Sequence, residues 1–182
     1  MRYFISIDVE DEGVKNSLMN FTGRIDNLGD TKVVDPQNLH LTLLYLGERP
    51  KSEVPEIKDS FVDAMADVDV GEFECMLSDL GVFPHMNYIK TVWAGAETDG
   101  KIRDIHMKLN EHIHSENEHD FTPHVTLARV KGIEPGEKQR MREEIESYPA
   151  DFGSFSVENV RLKQSKLTPE GPIYRDLEVV EL

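Results

Sequence analysis

Two segments with a shared pattern, 84 positions apart, limit the folds open to this 182-residue chain. The first is NLHLTLLYLGE, residues 38–48, and the second is TPHVTLARVK, residues 122–131. Each carries His-x-Thr followed by Leu: His40, Thr42 and Leu43, then His124, Thr126 and Leu127. With seven histidines in the chain, roughly 0.3 such triplets are expected by chance. The same offset holds for the surrounding pattern. Residues 2–9 read as a strand and map onto a strand at 88–96. Val14, Leu18, Phe21 and Ile25 form a helical stripe within 10–28, stopped by Gly29, which maps near a helix over 99–115 with Ile102, His106, Leu109 and Ile113 on one face. Residues 38–47 and 122–131 are the paired strands. A helix capped by Ser52, with Pro55 in its first turn and Val54, Ile57, Phe61, Ala64 and Val68 on its face, maps near one opened by Pro135 with Met141, Ile145 and Tyr148. Strands follow at 72–82 and 152–162, with GVFPHMN as a turn, and a last strand covers 172–182.

Five elements in register at one offset indicate an internal duplication, with halves near 1–85 and 86–182. No Pro/Gly/Ser-rich linker divides them. The expected fold is α+β: one bilobal unit over 1–182, with pseudo-two-fold-related antiparallel sheets, helices on the outer face and a cleft between the lobes.

The spacing of the motif has a chemical meaning. Strand side chains two apart share a face, so His40 and Thr42 look the same way, as do His124 and Thr126. Two such strands facing across a cleft bring together two imidazoles and two hydroxyls, a set suited to a phosphodiester. One neutral imidazole takes a proton from the attacking oxygen and one protonated imidazole gives a proton to the leaving oxygen. The hydroxyls donate to the non-bridging oxygens. Nothing in this chemistry asks for a metal or other cofactor, and the residues alone leave open which histidine is the acid.

The net charge of −15 disfavours tracking along a long duplex, because non-specific affinity rests on Lys and Arg against phosphates. It leaves room for an RNA end or a small phosphate ligand in a locally basic pocket. No run of 18 apolar residues exists, so no membrane span is expected, and the apolar stretch at the N-terminus is too short for a signal peptide. Cys75 is the single cysteine, so no intrachain disulfide forms. It reads as a small core residue. The expected setting is the cytoplasm, and the expected state a monomer.

The chain resembles the two-histidine (2H) phosphoesterase superfamily, and within it the LigT-type RNA 2′,3′-cyclic phosphodiesterases. The resemblance rests on the opening RYFISIDV, the segments NLHLTLLYLGE and FTPHVTLARVKG, and the ending GPIYRDLEVVEL. It implies a bilobal fold with the active site in the cleft, and hydrolysis of a 2′,3′-cyclic phosphate to a 2′-phosphate with O3′ leaving. It implies that His40 is the proton donor, His124 the proton acceptor that activates water, and Thr42 and Thr126 the phosphate holders. Some relatives also join RNA through a 2′-5′ linkage, the reverse chemistry. Other readings are a phosphodiesterase for ADP-ribose 1″,2″-cyclic phosphate or 2′-5′ oligonucleotides, and a non-catalytic module that binds RNA ends.

Further residues are open to two readings. Arg129 suits a phosphate or ribose contact, but strict alternation sets it on the face opposite His124, unless a bulge re-aims it. Phe121 and Tyr45 are candidates to stack a base, although rings at such positions more commonly fill a core. Lys163 and Lys166 read as a solvated edge that could guide RNA. His112, His114 and His119 read as exposed helix-end residues rather than a metal cluster, since positions two apart on a helix diverge. His106 falls on the apolar stripe of its helix, and His85 has no evident partner.

Overall fold

The structure is a computed structural model, and it describes residues 1–115 and 120–182. Nine strands form one antiparallel sheet among the described residues, curled into a half-barrel. In chain order they are β1 (Arg2–Asp8), β2 (Asp30–Val33), β3 (His40–Glu48), β4 (Phe73–His85), β5 (Tyr88–Glu97), β6 (His124–Gly132), β7 (Ser154–Val157), β8 (Asn159–Thr168) and β9 (Gly171–Glu181). The helices are α1 (Glu12–Thr22), α2 (Val54–Ala66), α3 (Lys101–His112) and α4 (Pro135–Ser147). No described helix is long and apolar enough to cross a membrane.

The strand order is β7-β4-β5-β6-β3-β1-β8-β9, with β2 also paired to β6. The bounds of β3 and β6 differ by the same 84 positions at both ends. The offset therefore appears in the sheet as two mirrored series, β3-β1-β8 and β6-β5-β4. It does so with one exchange that no sequence pattern announces. The third strand of each half leaves its own half: β4 pairs with β5, and β8 pairs with β1.

Helix ends follow local chemistry more closely than the apolar stripe. The stripe predicts a helix over 10–28, but α1 ends at Thr22. It starts at Glu12 because the Asp11 carboxylate accepts from the Val14 amide at 2.8 Å. Ile25 and Leu28 stay buried in the turns beyond it, which is why the stripe overruns. Gly29, predicted as the stop, has φ 58°, and a β-carbon there would lie 2.5 Å from the Gly132 carbonyl. Only glycine lets these two segments approach so closely. Ser52 does not cap α2. It lies in a 3₁₀ turn, Lys51–Glu53, that precedes the helix, and no side chain caps the Glu53 end. GVFPHMN is strand down to His85, leaving Met86 and Asn87 as the hairpin turn. The ladder shifts register between Phe83 and Pro84, where a residue without an N–H is tolerated. The single strand expected over 152–162 is two, β7 and β8, and β2 has no counterpart among the expected strands.

One face of the sheet supplies the core. Ile5, Leu41, Leu43, Val125 and Leu127 are buried there with Phe21, Phe61, Ile105 and Met141 of the helices. Cys75 is buried among them. α2 packs on α3 and on β9, α3 on β3, α1 on β6, and α4 on β4. Burial of each large apolar side chain contributes about 1.5–3 kcal/mol. Phe21 is fully buried against Tyr148 and Phe152. Phe21→Ala should therefore lower stability by about 3–5 kcal/mol. Met19 on the same helix is 45% exposed, and Met19→Ala should stay within about 0.5 kcal/mol of the parent. Urea denaturation midpoints of the two variants check the contrast, and equal shifts would contradict it.

Candidate active site

The two strand series meet at a single antiparallel bridge, Leu41 with Val125. Both of these side chains are fully buried on the core face. Side chains one position away point to the other face, so His40, Thr42, His124 and Thr126 share the face that carries no helix. The antiparallel register opposes His40 to Thr126 and Thr42 to His124. Ladder geometry then sets the two histidines diagonally, about 7–8 Å apart at the backbone. All four side chains are half-buried.

Both strands carry a bulge at the same relative position. On β3, Ser6 faces Thr42 and Ile5 faces Leu44, so Leu43 is the extra residue. On β6, Trp93 faces Thr126 and Val92 faces Ala128, so Leu127 is the extra residue. A bulge adds one residue to one strand and reverses the alternation beyond it. Leu43 and Leu44 are consecutively buried, as are Leu127 and Ala128, and Tyr45 and Arg129 emerge on the histidine face. This resolves the parity objection to Arg129. Its charge acts on His40, His124 and Tyr174 alike, and no carboxylate among the described residues pairs with it. Tyr45 is 44% exposed, so it is not a core residue.

Each histidine is held in the same way. His40 donates from Nδ1 to the Asn38 carbonyl at 2.7 Å, and His124 from Nδ1 to the Thr122 carbonyl at 2.6 Å. A carbonyl only accepts, so Nδ1 bears the proton and Nε2 is the nitrogen that titrates. Burial pushes His40 below its ordinary value of 6.5. The Asn38 bond and Asp8 pull upward, and Lys163 and Arg129 push downward. Burial likewise lowers His124, opposed by the Thr122 bond and helped by Arg129.

The surroundings of the two rings differ. His40 lies between Phe4, with centroids 5.0 Å apart, and Tyr174, at 5.4 Å. Its direct cross-strand partner is Asp8. The Asp8 carboxylate meets Lys163 Nζ at 2.7 Å and Arg161 at 3.2 Å. Lys163 also meets Asp176 at 2.7 Å, and Arg161 reaches Glu10 at 2.7 Å. These groups and Tyr174, whose hydroxyl burial raises in pKa, border a cavity of about 410 Å³ beside His40. The partner of His124 is Gly95. Its neighbours are Phe83, at 5.0 Å, and Trp93, at 5.7 Å.

Several expectations need correction. Lys163 is no solvated edge: it is 7% exposed, because two carboxylates from β1 and β9 accept its ammonium. Lys166 is exposed, as expected of an edge. Phe121 stays away from the histidine face and stacks on His106, with centroids 3.9 Å apart and planes at 7°. That His106 is half-buried and donates from Nδ1 to the Leu43 carbonyl on the core side. His112 and His114 are exposed at the end of α3, where His112 pairs with Asp67 at 2.8 Å. His119 lies outside the described residues. His85 is exposed, and its nearest ring is Tyr88 at 6.5 Å. No local pattern marks Asp8, Tyr174, Phe83 or Trp93, because each acquires its place through pairing with chain-distant strands.

The chain is similar to known proteins along most of its length. Residues 17–166 match the 2′-5′ RNA ligase superfamily. The chain is 33% identical over 178 residues to an RNA 2′,3′-cyclic phosphodiesterase of Methanocaldococcus jannaschii, covering 96% of each. It is 31% identical over 185 residues to the protein of that name from Archaeoglobus fulgidus, covering 100% of each. Among solved structures, it matches TT0787 of Thermus thermophilus with a TM-score of 0.79 at 29% identity, covering 100% of this chain and 98% of that one. The fold is also that of E. coli LigT crystallised with 3′-AMP, with a TM-score of 0.75 at 20% identity over 100% and 97% of the two chains. The chain belongs to the 2′-5′ RNA ligase superfamily.

Proposed function

We propose that this protein is an RNA 2′,3′-cyclic phosphodiesterase, which hydrolyses a 2′,3′-cyclic phosphate end to a 2′-phosphate and a free 3′-hydroxyl. The observation that carries the proposal is the Leu41–Val125 register, which gives two imidazoles and two hydroxyls a common face beside a guanidinium that no described carboxylate pairs. The names of the M. jannaschii and A. fulgidus relatives support the same activity.

In the proposed reaction, neutral His124 takes a proton from water through Nε2. The water oxygen bonds to phosphorus as the bond from phosphorus to O3′ breaks on the opposite side. Protonated His40 gives its Nε2 proton to O3′, so one water is consumed and the proton count balances. Thr42 and Thr126 donate to the non-bridging oxygens, and Arg129 offsets the charge that builds on them. Two imidazoles suffice for the transfers, so no metal or cofactor is invoked. Incubating an RNA with a cyclic phosphate end in EDTA should yield the 2′-phosphate. His40→Ala and His124→Ala should each slow it about 10²–10⁴-fold. Full activity in either variant, or a wild type that leaves the end intact, would refute the proposal.

The surroundings support His40 as the donor. Asp8 faces His40 and favours its charged form, whereas Gly95 faces His124 and brings no charge. Burial still holds His40 below 6.5, so the protonated donor is already the minority form at neutral pH and grows scarcer as pH rises further. Asp8→Asn removes the upward pull and leaves Lys163 and Arg129 acting downward. Its kcat/KM should fall below wild type at alkaline pH and converge with it as pH drops through the His40 pKa. An unchanged alkaline rate with a gain at acid pH would instead make His40 the base.

A further inference from the structure

The carboxylates and ammonium groups of the cleft gather beside His40, and the two rings beside His124, Trp93 and Phe83, have no part in the proton transfers. Trp93 faces Thr126 on β6 and Gly81 on β4, on the histidine face of the sheet. A β-carbon at Gly81 would lie 2.1 Å from the indole. The missing side chain therefore lets the indole lie flat across the β4 backbone. Gly95, two pairs along on the same face, is also bare, and a β-carbon there would lie 3.6 Å from the same ring. Phe83 continues the surface, with centroids 5.2 Å from Trp93 and planes at 34°. The indole is half-buried, so part of it remains open, and its N–H is buried without a hydrogen-bond partner. Packing rather than a hydrogen bond from its N–H fixes the ring, and a buried donor left unpaired calls for a reason. In the other strand series, the matching positions are Ser6 opposite Thr42 and Arg161 beyond it. Phe4 and Tyr174 flank His40, but among the described residues a ring laid over bare glycine backbone occurs on the His124 side alone.

We propose that Trp93, extended by Phe83, is the stacking platform for the nucleobase of the nucleotide whose phosphate occupies the two-histidine face. The proposal rests on the function proposed above. The platform adjoins His124 and Thr126 directly, so a base joined through one ribose to a phosphate held there is within reach. Stacking on a flat ring requires no base-edge hydrogen bond, so all four bases are accepted, the larger purines more tightly.

The test uses the fact that Trp93 is the sole tryptophan, so intrinsic tryptophan fluorescence reports on the platform alone. Adenosine 2′-monophosphate should quench it with saturation. Inorganic phosphate and ribose 2-phosphate should not. Kinetically, wild type should prefer adenosine 2′,3′-cyclic phosphate over methyl riboside 2,3-cyclic phosphate, which has no base, by about tenfold or more in kcat/KM. Trp93→Leu should bring that ratio towards one, and Trp93→Phe should retain most of it. A ratio that Trp93→Leu leaves intact, or quenching as strong with phosphate as with the nucleotide, would overturn the platform. If wild type hydrolyses neither substrate, the proposed function falls, and the fluorescence comparison still decides the platform. Should Trp93→Leu fail to fold, Trp93→Phe and the wild-type titration carry the same decision.

Discussion

One backbone contact holds the proposed site together. Leu41 and Val125 are the sole paired residues between β3 and β6, yet their register determines which side chains of the two strands can meet. A slip of one residue on either strand would turn its histidine and threonine into the core and expose leucine or valine in their place. Burial of Leu41 and Val125 therefore enforces the register, and apolar packing on one face decides which polar groups meet on the other. Beyond Val125, β2 takes over the same edge of β6, pairing Val33 with Ala128 and continuing to Gly132. The open edge is closed, and β3 is free to diverge.

The two bulges are the second element of the arrangement. Without them Arg129 would point among the helices, where an unpaired guanidinium costs several kcal/mol. With them it stands beside both imidazoles, in a chain that otherwise carries strong negative charge. The near-symmetry of the backbone ends at the side chains. Rings flank both histidines, but carboxylates and cations gather beside His40 alone, so a repeated scaffold gives the two imidazoles unequal surroundings.

Much of this is legible in the residues. Period-two alternation assigns each His-x-Thr to one face, and the constant offset matches β3 to β6. Alternation misplaces Arg129, because Leu-Ala and Leu-Leu give no sign of a bulge: both partners suit the core. Lys163 defeats the pattern for another reason. A lysine in a strand usually reaches solvent, and its carboxylates come from residues 8 and 176, which no local pattern links to it. Phe121 escapes its expected place because the imidazole that covers its face belongs to α3. The apolar stripe of α1 runs too long because turns bury apolar side chains as helices do.

The exchange of β4 and β8 has a mechanical consequence. Each series of strands holds one strand from the other half of the chain, so the two are laced together by covalent connections in both directions. No single peptide linker can act as a hinge between them. A change in cleft width has to be absorbed along the β3–β6 seam, where one bridge resists it, while the ladders on either side are long. The line of least resistance in the sheet thus runs between the two histidines. Neither half, severed at the Met86–Asn87 turn, would retain a complete series of its own, and the fragments could fold only around one another.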